Sequence, residues 1–272
     1  MDVQTRLNAI VTGPADGQPM VFAHGFGCDQ HMWRHVAPSF ADRFRVVTFD
    51  FVGCGGSAAS AWDPERYSSL AGYAADVLDL VGELDLRDVV LVGHSVSSMI
   101  GALAVAEDPG RFSRLVMVGP SPRYIDDPDA SYRGGFSELD IEELLDSLSS
   151  NYLGWSAAMA PAIVGNPDRP ELGEELTESF CRMDPAIARQ WARVTFLSDN
   201  RADLARVAVP TLVLQCRDDL IAPLPVGEYV HAAIPGSELV VLDATGHCPN
   251  LSAPEATVRA IAEFVGGAKV GA

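Results

Sequence analysis

The fold class this chain predicts is α/β, with a mostly parallel central sheet wound on both faces and a helical layer inserted into it, and three observations predict it. Short apolar runs, rich in β-branched and bulky residues and bounded by turn residues, recur at 20–23, 45–49, 89–92, 115–118, 211–215 and 239–242, as buried strands do. Segments of helical period lie between several of them. The alternation then stops from about Pro120 to Ala208, where no strand-like run occurs.

Taken in order, the run 20–23 feeds the loop His24-Gly25-Phe26-Gly27, and the run 45–49 is followed by Gly53-Cys54-Gly55-Gly56-Ser57. That glycine cluster lacks both the lysine and spacing of a phosphate loop and the glycine pattern of a dinucleotide site, so neither is assigned. A helix follows with Leu70, Tyr73, Ala74, Val77, Val81 and Leu84 on one face and Asp76, Asp79 and Glu83 turned away. The run 89–92 opens directly onto Gly93-His94-Ser95-Val96-Ser97 and a helix over 99–106. Helical segments at 141–153, 171–181 and 185–197 occupy the long gap, separated by Pro and Gly. This divides the chain into a core of residues 1–120 and 209–272 and an inserted helical cap of residues 121–208. Long insertions tend to be functional, although a layer that merely covers core is the competing reading.

The 272 residues include 48% hydrophobic ones, enough for one large core, and carry a formal charge of −18. Nucleic acid is excluded as a partner because its affinity comes from Lys and Arg displacing counterions, and an anionic membrane is disfavoured for the same reason. No segment approaches the roughly 20 apolar residues of a bilayer span and none reads as a leader, so a cytoplasmic protein is expected. The five cysteines are scattered without a CxxC pair and read as reduced thiols. His31 and His35 lie one helical turn apart with no third ligand nearby, so no metal is assigned.

Gly93-His94-Ser95-Val96-Ser97 sits between a strand and a helix, where a tight turn forces the serine out at the carboxyl end of the sheet beside a helix N-terminus. Ser97 stands where the last glycine of such an elbow is usual. A serine hydroxyl needs a base, and His247, in the loop Ala244-Thr245-Gly246-His247-Cys248-Pro249 after the last apolar run, is the candidate. The base needs a carboxylate to fix its tautomer. The loop after run 211–215 supplies Asp218 and Asp219; Asp219 is preferred because Pro223, four residues on, fits a register common in hydrolases of this architecture, and Asp218 stays as the alternative. The chain order Ser95, Asp219, His247 suits a nucleophile elbow. Two N–H donors for an oxyanion are expected from Val96 and Phe26, with His24 bracing the loop and His94 given no proton-transfer role.

With these residues in view, the chain resembles the RsbQ-type α/β hydrolases of bacterial stress signalling and their plant relatives, the karrikin and strigolactone receptors. The resemblance covers nearly the whole chain. It is carried by Phe26-Gly27-Cys28-Asp29-Gln30, residues 45–56, the Ser95 elbow, the stretch Met117-Val118-Gly119-Pro120-Ser121-Pro122-Arg123-Tyr124, Asn151-Tyr152-Leu153-Gly154-Trp155 and Gly246-His247-Cys248-Pro249. Ser97 matches the plant receptors where RsbQ has glycine. The resemblance implies an α/β-hydrolase fold with a V-shaped four-helix cap over an apolar pocket, slow hydrolysis of a small ester, lactone or butenolide-like compound, and a PAS-domain protein phosphatase as partner; no cofactor is expected, since the triad does its own acid–base chemistry.

Three functions share such a triad: a serine hydrolase, a ligand-sensing receptor with slow hydrolysis, and a hydrolase of carbon–carbon bonds. The last would need a cation for a substrate carboxylate, for which Arg123, Arg189 and Arg193 are the candidates, the latter two being more at home on a solvated helix face. Phe26, Phe136, Trp155, Phe180 and Phe196 are expected to line the pocket, which would make its ligand small, apolar and uncharged.

Overall fold

Seven strands form one sheet in the computed structural model, which describes residues 1–266. They are β1 (Ile10–Thr12), β2 (Gln18–Ala23), β3 (Phe44–Thr48), β4 (Val89–His94), β5 (Phe112–Val118), β6 (Thr211–Asp218) and β7 (Glu238–Thr245). Their spatial order is β1-β3-β2-β4-β5-β6-β7. β1 pairs antiparallel with β3, and every other pairing is parallel. β1 departs from expectation: its three residues are all exposed, so no apolar run marks it, and β3 stops at Thr48 rather than including Phe49.

Burial explains the order. All six residues of β4 are buried, as the centre of a sheet covered on both faces requires, whereas β1 and β7 at the edges are largely open. Fully burying each Val or Leu of such a strand contributes roughly 1.5–3 kcal/mol. From β2 the chain crosses to β3 on one side and then to β4 on the other. That reversal opens a crevice beyond the carboxyl ends of β2 and β4, which is where ligands bind in open parallel sheets.

The flanking helices begin with the short α1 (Val3–Arg6), followed by α2 (Leu70–Glu83) and α3 (Val96–Glu107), which pack on each other. α2 buries the expected apolar face, with one correction. Asp76 is buried rather than turned to solvent, because Arg6, Arg66 and the Tyr67 hydroxyl converge on its carboxylate. Between β5 and β6 lie α4 (Glu138–Ser150), α5 (Tyr152–Val164), α6 (Pro170–Arg182) and α7 (Pro185–Phe196). α5 packs on α6, and α4 touches both α5 and α7. The helix expected over 141–153 is two helices, broken at Asn151, whose extended backbone ends α4 while its side chain caps α5 by accepting from Gly154 N–H. α8 (Leu224–Ala233), α9 (Pro249–Ser252) and α10 (Pro254–Gly266) are the remaining α-helices of the described residues. Among the described residues no helix is long and apolar enough to cross a membrane.

Candidate active site

Ser95 lies between β4 and α3 with φ 57° and ψ −125°, a conformation that L-residues rarely adopt. The turn is tight enough that a Cβ at Gly93 would lie 2.3 Å from the Ser97 carbonyl oxygen. Strain of this kind persists only where the surroundings impose it, here a fully buried strand feeding a nearly all-buried helix. Ser97 does more than fit where glycine is usual. Its hydroxyl donates to the His24 carbonyl, tying the first turn of α3 to the loop after β2.

The Ser95 hydroxyl donates to His247 Nε2 at 2.7 Å, and His247 Nδ1 donates to Asp219 Oδ2 at 2.8 Å. All three side chains are buried. Asp219 Oδ1 accepts from the N–H groups of Ile221 at 2.8 Å and Ala222 at 3.0 Å. Burial opposes charge on Asp219, but the neighbouring His247 and those two N–H groups outweigh it and hold the carboxyl below its ordinary range. With Nδ1–H committed to a carboxylate, Nε2 is left as the acceptor of the serine proton. Asp218 is exposed, and its backbone carbonyl accepts from Gly246 N–H.

The loop carrying His247 is held from two sides. Its own N–H donates to the Ile163 carbonyl in α5, and its carbonyl accepts from His94 Nε2 at 2.8 Å. His94 therefore clamps the base through the backbone. Burial first, and the facing His247 second, push it down to about 3, so it stays neutral. His24 braces the adjoining loop: its Nε2 accepts from Phe51 N–H and its Nδ1 donates to the Gly25 carbonyl. Phe26, in the loop after β2, and Val96, the first residue of α3, flank the serine, and neither backbone N–H has a partner among the described residues. An unpaired N–H at the first position of a helix is what that position leaves free.

Gly27 fixes the form of the Phe26 loop. Cys28 N–H returns to the Gly25 carbonyl, closing a turn whose third residue, Gly27, has φ +74°. The Phe180 ring of α6 lies so close that a Cβ at Gly27 would be 1.9 Å from it, and the Ser179 hydroxyl donates to the Gly27 carbonyl. Gly27→Ala thus meets both strain and overlap with a packed ring. It is expected to cost about 2–4 kcal/mol, read as a lowered Tm, with slower turnover because the Phe26 N–H moves.

In front of Ser95 is a narrow cavity. Phe26, Phe180 and Phe196 line it, but Phe136 and Trp155 do not, which corrects two expectations. Trp155 stands one layer behind, stacked on Phe180 with ring centroids 5.5 Å apart. Phe136 pairs through its backbone with Ile125 and Tyr124, and its side chain is not part of the lining. Tyr124, Ile163, Leu176, Thr195 and Ile221 also line it. Ile163, Leu176 and Thr195 do not stand out in the sequence, since that requires the phase of each helix relative to Ser95, whereas Tyr124 and Ile221 lie in the loops after β5 and β6. No arginine lines this cavity. Arg123 pairs with Asp199, and Arg189 and Arg193 line a separate outer cleft.

A family model described as "Alpha/beta hydrolase family" matches residues 20–260. The chain is 37% identical over 264 residues to the karrikin insensitive 2 receptor CA of Petunia hybrida, covering 97% of each. It is 39% identical over 249 residues to the strigolactone esterase D14 of Arabidopsis thaliana, covering 91% of this chain and 92% of that one. The solved structure of olei00960, a hydrolase from Oleispira antarctica, superposes with a TM-score of 0.95 at 39% identity, covering 98% of this chain and 97% of that one.

Proposed function

The chain belongs to the α/β hydrolase family, and on that premise we propose that it is a serine hydrolase acting on a small, largely apolar ester, lactone or butenolide-like compound. The observation that carries the reading is the unbroken relay from Ser95 Oγ through the His247 ring to Asp219 at the floor of an apolar cavity. Ser95 Oγ attacks the carbonyl carbon as His247 Nε2 takes its proton. The carbonyl oxygen becomes an oxyanion held by the N–H groups of Phe26 and Val96. Collapse expels the alcohol, which receives the proton from His247 and leaves an acyl group on Ser95. Water, deprotonated by the same imidazole, then releases the acid. Asp219 keeps the imidazole in the productive tautomer and stabilises it once charged.

Residues 1–120 and 209–272 serve in this reading as the catalytic core, and residues 121–208 as a cap that closes the cavity with Ile163, Leu176, Phe180 and Phe196. A carbon–carbon bond hydrolase is disfavoured, since among the described residues no Lys or Arg lines the cavity to meet a substrate carboxylate. A second reading, a ligand sensor with slow turnover, is favoured by the relatives, which include both a receptor and an esterase. We propose with it an RsbQ-type identity and a signalling output through a PAS-domain phosphatase, which rest on the sequence motifs, and a cytoplasmic location, which rests on the sequence reading of the apolar segments.

Intact-mass and peptide mapping after mixing with p-nitrophenyl acetate tests the chemistry. An acyl group on the peptide bearing Ser95 is the expected result. Rapid decay of that adduct supports a metabolic esterase, and persistence over many minutes supports the sensor. Acylation elsewhere, with Ser95 unmodified, overturns the proposal.

A further inference from the structure

Gly25 stands next to Phe26 in the loop after β2, and it has to be glycine: a Cβ there would lie 2.7 Å from His94 Nδ1 and 3.2 Å from Ser95 Cβ. A residue without Cβ leaves the peptide units on either side of it free to turn. Each is instead held by a different, fully buried side chain. The unit joining His24 to Gly25 is held at the His24 carbonyl, which accepts from the Ser97 hydroxyl. The unit joining Gly25 to Phe26 is held at the Gly25 carbonyl, which accepts from His24 Nδ1 at 2.9 Å and from Cys28 N–H at 3.2 Å. Donation from Nδ1 follows from the rest of the ring: burial keeps it neutral, and Nε2 is occupied as the acceptor of Phe51 N–H at 3.1 Å. In a trans peptide the C=O and the N–H point opposite ways. A Gly25 carbonyl drawn toward His24 therefore turns the Phe26 N–H the other way, and donation into that carbonyl strengthens the N–H as a donor.

We propose that Ser97 and His24 are positioning residues, which together aim the Phe26 N–H at the oxyanion formed on Ser95. The inference rests on the hydrolase reading for the oxyanion itself and extends it to what holds the donor in place. Val96 N–H needs no such support, because it is fixed by α3, of which it is the first residue. The Phe26 donor sits on a separate loop. Ser97, two residues beyond the nucleophile, locks that loop to the helix carrying the other donor, so nucleophile and donors keep one geometry. Ala at Ser97 keeps the helix but leaves the His24 carbonyl without that hydroxyl, and the loop gains freedom to turn about Gly25. A donor aimed at a charge that exists only in the transition state acts on kcat and not on substrate binding.

Steady-state hydrolysis of p-nitrophenyl acetate is measured for wild type, Ser97→Ala, His24→Ala, His24→Asn and Ser156→Ala, with a thermal melt on each. Ser156 is a fully buried serine whose hydroxyl returns to the Tyr152 carbonyl within α5, so its variant reports the loss of a buried hydroxyl far from the Phe26 loop in sequence. Removing an oxyanion donor outright costs about 10²–10³-fold in kcat. A mis-aimed donor in Ser97→Ala is expected to cost about 10–100-fold, with KM within about twofold, and Ser156→Ala to stay near wild type. His24→Asn, whose carboxamide NH₂ takes the place of Nδ1–H, is expected to turn over faster than His24→Ala. Two inhibitors separate aim from general loosening. At 1,1,1-trifluoro-2-hexanone, Ser95 Oγ adds to the carbonyl carbon, the π pair moves onto the oxygen and the Oγ proton passes to His247 Nε2; 2-hexanone binds without adding. Ser97→Ala is expected to weaken inhibition by the trifluoro ketone by the factor it takes from kcat/KM, and by 2-hexanone less than about twofold. Equal weakening of both ketones, a Ser97→Ala kcat within about twofold of wild type, or a His24→Asn no faster than a folded His24→Ala overturns the inference. A wild type without turnover removes the hydrolase reading itself, whereas an active wild type with an unchanged Ser97→Ala removes this inference alone.

Discussion

Replacing Ser95 with Ala is expected to lower kcat for p-nitrophenyl ester hydrolysis by on the order of 10⁵–10⁶-fold, or to uncatalysed background if that is reached first, while Tm stays within a few degrees of wild type. The size of the loss follows from the relay acting as a unit. Without Oγ, His247 and Asp219 have nothing to activate, and what survives is the residual assistance of the Phe26 and Val96 N–H groups to attack by water. Stability is spared because Ala takes up φ 57° no less readily than Ser, and what the Ser95 side chain gives up is its hydrogen bond to His247. Steady-state kinetics with a thermal melt on the same preparation decides it. Turnover within tenfold of wild type would mean that another nucleophile operates.

How much of this is legible in the sequence varies with the kind of signal. Buried parallel strands announce themselves because both faces need apolar residues, so β2 to β6 stand out as runs; the edge strand β7, though largely open, still carries an apolar run, while the exposed β1, held by its backbone pairing to β3, carries no such mark. The charged face expected of α2 fails at Asp76 for a related reason: Arg6 and Arg66, which make its burial tolerable, come from other segments, and periodicity along one helix cannot register them. The loops of Ser95, Asp219 and His247 are readable because each follows a strand end with turn residues at set places. The cavity wall is not. Trp155 and Phe180 are alike as aromatic residues of the cap, and what separates them is which stands in front of the other, a fact of packing between α5 and α6. The functions of Ser97 and His94 are hidden for the same reason, since both hold backbone carbonyls from distant loops.

Asp219→Asn is expected to lower kcat by about 10⁴-fold with little change in KM, and Asp218→Asn to stay within about twofold of wild type. The carboxamide has nearly the shape of the carboxylate, so the loss comes from direction rather than fit. The N–H groups of Ile221 and Ala222 both point at Oδ1, so the carboxamide oxygen must occupy that position. Its NH₂ group then faces His247 Nδ1, at the 2.8 Å position now held by Oδ2, and donates where the carboxylate accepted. That forces the imidazole into the tautomer with Nδ1 bare and the proton on Nε2. Such a ring presents a donor to Ser95 Oγ and cannot take its proton. Asp218 is exposed, and the atom that engages the base loop is its backbone carbonyl, which an Asn side chain leaves in place. Kinetics of the two variants in parallel therefore separates adjacent carboxylates that look alike in the sequence: equal losses would place the orienting charge in the loop as a whole, and a larger loss at Asp218 would reverse the assignment.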